Sequence, residues 1–513
     1  MTRASEVELK LRLPRAALAA LRRHPALRAA VRGRARRESL AATYYDTPDL
    51  ALARRGIALR VRRERGRWVQ ALKAGGAAAG GLAERSEDEW SLGRGTRRPS
   101  PDLSLLATTP VGRAAARAVR RVAPGPVFVT TIERTSLPLA FGDGTTAVAA
   151  IDVGRVRAAS GRRASAAICE LELELREGDV ARLFELALAL CADLPLAVEP
   201  RSKAQRGYAL AATAPDGPRH AQAPEYARDA DAGAAIAAIL VSALAQVEGN
   251  AGGAATSDDP EWVHQLRVGL RRLRAALGLA RALVDADALR AIVDEARRIA
   301  DALGRARDLD VFADETLPPL AAAAGASADA VAALAAEVRR HRVQARAEVR
   351  AVLRSAPFQR LLLNVGALAA SLAARPGAAA VRSFAQDALR RRHKQLLRAG
   401  EALDGGTPEE RHRVRIAAKK LRYAAEFLAT PFPSRRAEAY RSALAGVQEV
   451  LGRINDAATA TAIAADVSGK GTPGAALVAG WAAAHAAGEE REMRRAWQRF
   501  RAAKPFWKDT GGR

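Results

Sequence analysis

Residues 6–13 read Glu-Val-Glu-Leu-Lys-Leu-Arg-Leu, a strict alternation of charged and apolar side chains. A period of two is that of a β-strand, on which residues two apart share a face. Glu6, Glu8 and Lys10 therefore point one way, and Val7, Leu9 and Leu11 the other. The pattern recurs at Glu170, Glu172 and Glu174, opposite Leu171, Leu173 and Leu175. It recurs at Arg85, Glu87 and Glu89, and at Arg60 and Arg62, opposite Leu59 and Val61. Strands are predicted at 57–63, 67–73, 85–92, 127–133 and 168–176, with helices at 14–27 and 179–190. One such strand would be ordinary, with its charged face in water. At least four, bearing both signs, suggest an inverted sheet: a barrel with charges inside and amphipathic helices outside. Helix 179–190 offers a suitable stripe in Val180, Leu183, Phe184, Ala187 and Leu188.

Several carboxylates facing one interior cannot all ionise unless cations neutralise them. Hard divalent ions such as Mg²⁺ take a few carboxylates plus substrate phosphates. Inward Arg and Lys would grip the remaining phosphate oxygens. Metal-bridged polyphosphate is thus the ligand chemistry the pattern calls for. No P-loop, nucleotide-binding glycine fingerprint, Ser-His-Asp or Cys-His arrangement supports a covalent or Walker-type route.

An ordered series of short motifs sharpens this. Glu6-x-Glu8-x-Lys10 is followed by Tyr44-Tyr-Asp-Thr-Pro48, Gly56-Ile-Ala-Leu-Arg-Val-Arg62, Leu72-Lys73, Glu84-Arg-Ser-Glu-Asp-Glu89, Ile151-Asp-Val-Gly154, Glu170-Leu-Glu-Leu-Glu-Leu175 and Ser202-Lys-x-x-Arg-Gly-Tyr208. Together they resemble the CYTH family, the triphosphate tunnel metalloenzymes. The resemblance implies an α+β fold over 3–210: an antiparallel eight-stranded tunnel barrel with flanking helices and triphosphate inside. It implies Glu6, Glu8, Asp152, Glu172 and Glu174 as metal-side carboxylates, with Mg²⁺ or Mn²⁺ as the metal. It implies Lys10, Arg60, Arg62, Lys73, Arg85, Arg134, Lys203 and Arg206 as phosphate grips, with Glu6, Glu8 and Lys10 closest to the chemistry. Lys10 is open to two roles, charge stabiliser or base. Val148 stands where the family often carries a further acid, which bears on the metal count.

Residues 211–226 read as a linker by composition. From 227 to 507 the strand signals give way to Ala/Leu/Arg helical patterns, expected to form an all-α domain. It contains a repeat. Val263-His-Gln-Leu-Arg-Val-Gly-Leu-Arg-Arg-Leu-Arg274 matches Arg411-His-Arg-Val-Arg-Ile-Ala-Ala-Lys-Lys-Leu-Arg422, and Leu303-Gly-Arg-Ala-Arg-Asp308 matches Leu451-Gly-Arg-Ile-Asn-Asp456. Both pairs are offset by 148 (264 to 412, 303 to 451), so two pseudo-symmetric helical bundles are expected. At about 100° per residue, His264, Arg267, Arg271 and Arg274 share one stripe beside a leucine stripe. His412, Arg415, Lys419 and Arg422 repeat it, with Arg272 and Lys420 alongside. Charge runs on helices are usually solvated faces. A like-charged run destabilises a helix slightly, and its repetition suggests an anion offsets it. The histidines fit phosphate contact or a structural hydrogen bond; no His or Cys at ligand spacing supports a metal there.

This half resembles the CHAD domain, a conserved-histidine helical domain often found after CYTH domains. The resemblance implies inorganic polyphosphate bound in a basic groove between the bundles. Asn455 replaces Arg307 in the second repeat, so the halves differ in charge. A net charge of +26, from 82 basic and 56 acidic residues, also asks for an anionic partner. Nucleic acid fits less well, because the stripes hold no interleaved aromatic except Tyr423. Cys169 and Cys191 lack metal-site spacing, residues 1–10 hold no apolar signal core, and no uninterrupted apolar run approaches a membrane span. The expectation is a cytoplasmic triphosphatase able to associate with polyphosphate granules and not with membrane. Thiamine-triphosphate hydrolysis, adenylate cyclisation and non-enzymatic granule binding are its rivals.

Overall fold

The computed structural model describes residues 2–508 except 65, 77, 160–163, 213–216, 376, 378, 402, 404 and 405. It divides into two compact units, one of Met1–Gly217 with Ala356–Ala370, the other of Pro218–Ser355 with Ser371–Arg513.

The first unit is built on β1 (Thr2–Arg12), β2 (Arg36–Asp46), β3 (Ile57–Glu64), β4 (Arg67–Ala74), β5 (Ala78–Ala79), β6 (Leu82–Arg94), β7 (Gly125–Ala140), β8 (Thr146–Ala158), β9 (Ser165–Glu177) and β10 (Ala197–Val198). Eight of them follow the order β1-β9-β8-β7-β2-β3-β4-β6, and β6 pairs back with β1. Every pairing is antiparallel, so the expected eight-stranded barrel is closed. β2 and β8 escaped the periodicity reading because the C-terminal half of β2 and the middle of β8 are buried on both faces, which replaces alternation with runs of Ala, Ile, Val and Tyr.

Leu9, Leu11, Leu59, Val61, Leu171 and Leu173 are fully buried on the outer face. α3 (Pro110–Val119) covers part of it, in a cluster with Leu59, Val61, Leu72, Trp90 and Leu106. α4 (Ala181–Asp193) packs on β1 and β9 and buries Leu183, Phe184, Ala187 and Leu190, close to the predicted stripe. The helix predicted at 14–27 is instead a turn followed by α1 (Leu18–Arg23) and α2 (Pro25–Ala30). Pro25 forces the break: its ring holds His24 extended (ψ 128°). His24 then caps α2, with Nδ1 accepting from the Ala26 amide at 3.3 Å.

One end of the barrel interior is apolar, formed by Ala42, Tyr44, Phe128, Ile132, Val156 and Ile168. α5 (Lys203–Ala211) docks there. Its Tyr208 meets Phe128 edge-on at 5.1 Å, while Tyr44 stacks on Phe128 at 4.4 Å. Gly207 allows the approach, since a Cβ there would lie 2.2 Å from the Phe128 ring. A capping box between Ser202 and Gln205 fixes the start of α5.

The second unit is helical: α6 (Ala232–Thr256), α7 (Pro260–Ala280), α8 (Ala286–Ala302), α9 (Gly304–Val311), α10 (Leu317–Ala323), α11 (Ala328–Arg354), the end of α12 (Ala356–Ala374), α13 (Val381–Gly400), α14 (Pro408–Phe427), α15 (Ser434–Ser468) and α16 (Pro473–Ala502). The repeat is visible in its chemistry. α7 begins with Pro260 behind the cap Asp259, and α14 with Pro408 behind Thr407, again 148 apart (259 to 407). α6–α7 and α13–α14 are the equivalent hairpins, and α7 packs against α14. The two halves start on one antiparallel bridge: the Ala232 amide donates to Ala379 O and the Val381 amide to Ala230 O, each at 2.9 Å.

Residues 219–226 lie along these helices. Arg219 and Asn250 exchange hydrogen bonds at 2.9 and 2.8 Å, and Tyr226 donates to Phe427 O at 2.6 Å. α6 is the one described helix long and apolar enough to cross a membrane, and 67% of its most apolar window is buried in the protein. Arg272, read as lying beside the basic stripe, is in the core. It is 1% exposed, pairs with Glu426, donates to Gln222 O at 2.7 Å and lies 5.0 Å over the Phe427 ring.

Candidate active site

Strand register aligns the inward charges. Across β1–β9, Glu8 faces Glu174, Lys10 faces Glu172 and Arg12 faces Glu170. Across β8–β9, Asp152 faces Glu170 and Val148 faces Glu174. Arg134 on β7 faces Asp152, Glu6 faces Arg85, and Lys73 on β4 faces Glu87.

Two carboxylate triads result. Glu6, Glu8 and Glu174 form one, and Asp152, Glu170 and Glu172 the other. In each, one ligand atom per residue lies within 4.8 Å of the others. The metal-side acids read from the sequence are therefore split between two clusters. Glu170 joins the second; its side was evident from the alternation, its closeness to Asp152 was not.

The basic residues pair with these acids. Lys10 Nζ lies 3.1 Å from both Glu8 and Glu172. Lys203 Nζ lies 2.7 Å from Asp152 and 2.8 Å from Glu172 and also contacts Glu170. Arg134 grips Asp152 through Nε and Nη2, each at 2.7 Å, and reaches Glu172 and Glu174. Arg206 reaches Glu170 at 2.8 Å, and Arg85 reaches Glu8 at 3.0 Å. Lys73 bridges Glu6 at 2.5 Å and Glu87 at 3.1 Å. Arg60 meets Glu87 at 2.8 Å, and Arg62 meets Glu89 at 2.9 Å. All thirteen barrel residues singled out in the sequence thus share one interior network, which also recruits Glu87, Glu89 and Glu170.

Burial disfavours charge throughout, and the pairing decides each outcome. Burial would lower Lys10, yet Glu172 and Glu8 outweigh it and raise it above the ordinary lysine value. Lys203 is raised the same way, against burial, by Glu170 and Glu172. Against burial, Lys203 and Lys10 pull Glu172 well below the usual range. Glu87 falls to about 2 because Arg60 and Lys73 overcome its burial. Glu174 goes the other way: burial raises it, Glu172 and Glu6 add to the rise, and Arg134 offsets only part.

In the helical unit α7 presents half-buried His264, Arg267 and Arg271, and α14 presents Arg415, Lys419 and Arg422. Arg271 links the stripes, since its charge depresses His264, Arg267, Arg415 and Lys419. Lys419 is pushed down to about 8 by burial, Arg415 and Arg271. The repeat aspartates lie beside them: burial and then Asp456 raise Asp308, against Arg267, Arg307 and Arg415. The buried Nε atoms of Arg271, Arg415 and Arg422 have no hydrogen-bond partner among the described residues. Arg267 donates to Ala300 O at 2.9 Å. Arg274 and His412, the outer members of the stripes, are exposed.

A closed antiparallel barrel with a two-signed interior, followed by a repeated helical unit with a basic stripe, defines a two-part class of protein. The chain matches the CYTH domain over residues 4–208 and the CHAD domain over residues 238–465, and it belongs to both families. It is similar to an inorganic triphosphatase of Haemophilus influenzae (strain Rd), 30% identical over 168 residues, which is 33% of this chain and 45% of that relative. The chain thus matches a little under half the length of this relative. It is also similar to the crystal structure of the CHAD domain from Ricinus communis, with 30% identity and a TM-score of 0.50, covering 56% of this chain and 98% of that one. A third likeness is to a Hippeastrum adenylyl cyclase with a dominant triphosphatase activity: 21% identity, TM-score 0.28, 39% of this chain and 92% of that one.

Proposed function

We propose that the barrel hydrolyses inorganic triphosphate to diphosphate and phosphate with a divalent metal, Mg²⁺ or Mn²⁺, and that the helical unit binds inorganic polyphosphate. One observation carries the first reading: a triad of carboxylates lies in the same interior as Lys73, Arg60, Arg62 and Arg85. Acids that gather a hard cation and bases that grip anionic oxygens suit a metal-bridged chain of phosphates.

Glu6, Glu8 and Glu174 are oxygen donors of the kind Mg²⁺ and Mn²⁺ take, and would hold the ion. Bound there, it would neutralise phosphate charge and favour attack by water on phosphorus. Arg60, Arg62, Lys73 and Arg85 would release their carboxylate partners in exchange for phosphate oxygens. Lys10, kept charged by Glu8 and Glu172, would stabilise charge that develops during transfer. The relative's triphosphatase activity agrees with this reading.

For the helical unit, orphaned guanidinium nitrogens on Arg271, Arg415 and Arg422 and the depressed Lys419 mark cations short of anions. A phosphate polymer without bases suits a stripe without aromatic platforms. Phosphate release from triphosphate, ATP, thiamine triphosphate and long-chain polyphosphate, each with Mg²⁺ or Mn²⁺, tests the enzyme. Triphosphate should be turned over fastest; equal or faster turnover of ATP or thiamine triphosphate would refute the assignment.

A further inference from the structure

The two carboxylate triads are not equivalent. Among the described residues no one cation touches all of Glu6, Glu8 and Glu174: Lys73 serves Glu6, Lys10 and Arg85 serve Glu8, and Arg134 and Arg176 serve Glu174. Asp152, Glu170 and Glu172 instead share one ammonium, that of Lys203, which contacts all three. An ammonium has three N–H donors and no acceptor; this one donates to Glu172 at 2.8 Å and is in ion-pair contact with Asp152 and Glu170.

The backbone fixes this placement. Lys203 is the first residue of α5, held by the Ser202–Gln205 capping box. One turn on, Arg206 binds Glu170 at 2.8 Å and Ala167 O at 2.6 Å. Next to it Gly207 and Tyr208 lock against Phe128. A divalent ion placed among Asp152, Glu170 and Glu172 would have to evict an ammonium and leave it buried without partners, a costly exchange. On β8 the registered partner of Glu174 is the apolar Val148, which adds no oxygen donor to the first triad.

We infer that Lys203 is a built-in cation standing in for a second metal ion, so that the barrel takes a single divalent ion, at Glu6, Glu8 and Glu174. This rests on the metal-dependent reading above and adds the ion count and the residue that sets it. A lysine in that role commits the second triad to structure, and leaves the phosphate grip to Lys73, Arg60, Arg62, Arg85 and Lys10.

Titration of the full chain with Mn²⁺, following free ion by electron paramagnetic resonance, tests it without reference to activity. The wild type should bind one Mn²⁺ in the barrel, and Glu8→Gln should lose it. Lys203→Met should bind two, Lys203→Arg one, and Lys203→Met with Glu170→Gln one again. Two barrel ions in the wild type, or one in a folded Lys203→Met, would overturn the inference while leaving the metal-dependent reading intact. No ion in the wild type would overturn both. Should Lys203→Met fail to fold, the wild-type count decides alone.

Discussion

Glu8 and Glu174 sit directly opposite one another in the β1–β9 ladder, two carboxylates on one inward face. Like charges placed this way destabilise a sheet by several tenths of a kcal/mol. Glu174 bears the cost, with its pKa raised by burial, Glu172 and Glu6. A carboxyl whose folded pKa is raised binds more protons folded than unfolded, so stability falls as pH rises through the folded value. Glu174→Gln should raise the melting temperature in metal-free buffer near neutral pH, flatten that pH dependence, and lower turnover about 10²-fold. Thermal unfolding with and without Mg²⁺ checks it: the wild type should gain stability from Mg²⁺ and the variant should gain little.

Arg60 pairs with Glu87 and lies on β3, across the barrel from β9, whose Glu174 belongs to the first triad. Its loss should remove a phosphate contact and leave metal binding alone. Arg60→Ala should lower kcat/KM for triphosphate by about 10²-fold, with Mn²⁺ affinity unchanged.

Gly207 touches the Phe128 ring with no room for a methyl group. Gly207→Ala should cost roughly 1–3 kcal/mol by overpacking. Because α5 also carries Lys203 and Arg206, activity should fall even where the variant stays folded. Denaturant unfolding beside an activity assay separates the two losses.

Arg271 and Arg272 are neighbours in sequence with opposite fates. Arg271→Met should weaken polyphosphate retention and leave stability near wild type. Arg272→Met removes a buried ion-pair partner of Glu426 and should cost roughly 3 kcal/mol. Retention by the folded fraction of Arg272→Met should persist, and in both cases it should weaken steeply with added salt.

Lys419, pushed down to about 8, should give anion binding at the basic stripe a pH dependence. An anion binds the protonated form better, so polyphosphate affinity should fall as pH rises from 7 through 9, and Lys419→Arg should flatten the fall. Without polymer the sign reverses for stability. Between about 8 and the ordinary 10.5 the unfolded chain holds more protons at this residue, so its destabilising effect shrinks as pH rises.

The barrel was legible because a charged interior and an apolar exterior leave period-two alternation on β1, β3, β6 and β9. β2 and β8 were not, because burial on both sides erases that signal, and Pro25 broke a helix that apolar spacing alone would join. Alternation put Glu170, Glu172 and Glu174 on one face. Sorting them into two triads needed the register with β1 and β8, which no single strand encodes. In the helical half the repeat paired the segments that form α7 and α14, and the structure adds their caps, Asp259 and Thr407. The repeat could not separate Arg271 from Arg272, since 100° per residue places them on adjacent arcs and only packing sends one inward.

Phosphorus NMR of inorganic triphosphate incubated with the full chain and Mg²⁺ tests the central claim most directly. The wild type should yield one phosphate and one diphosphate per triphosphate consumed, Mg²⁺ should be required, and Glu8→Gln with Glu174→Gln should leave the substrate intact. Unchanged triphosphate with the wild type, or equal turnover by the double variant, would contradict it.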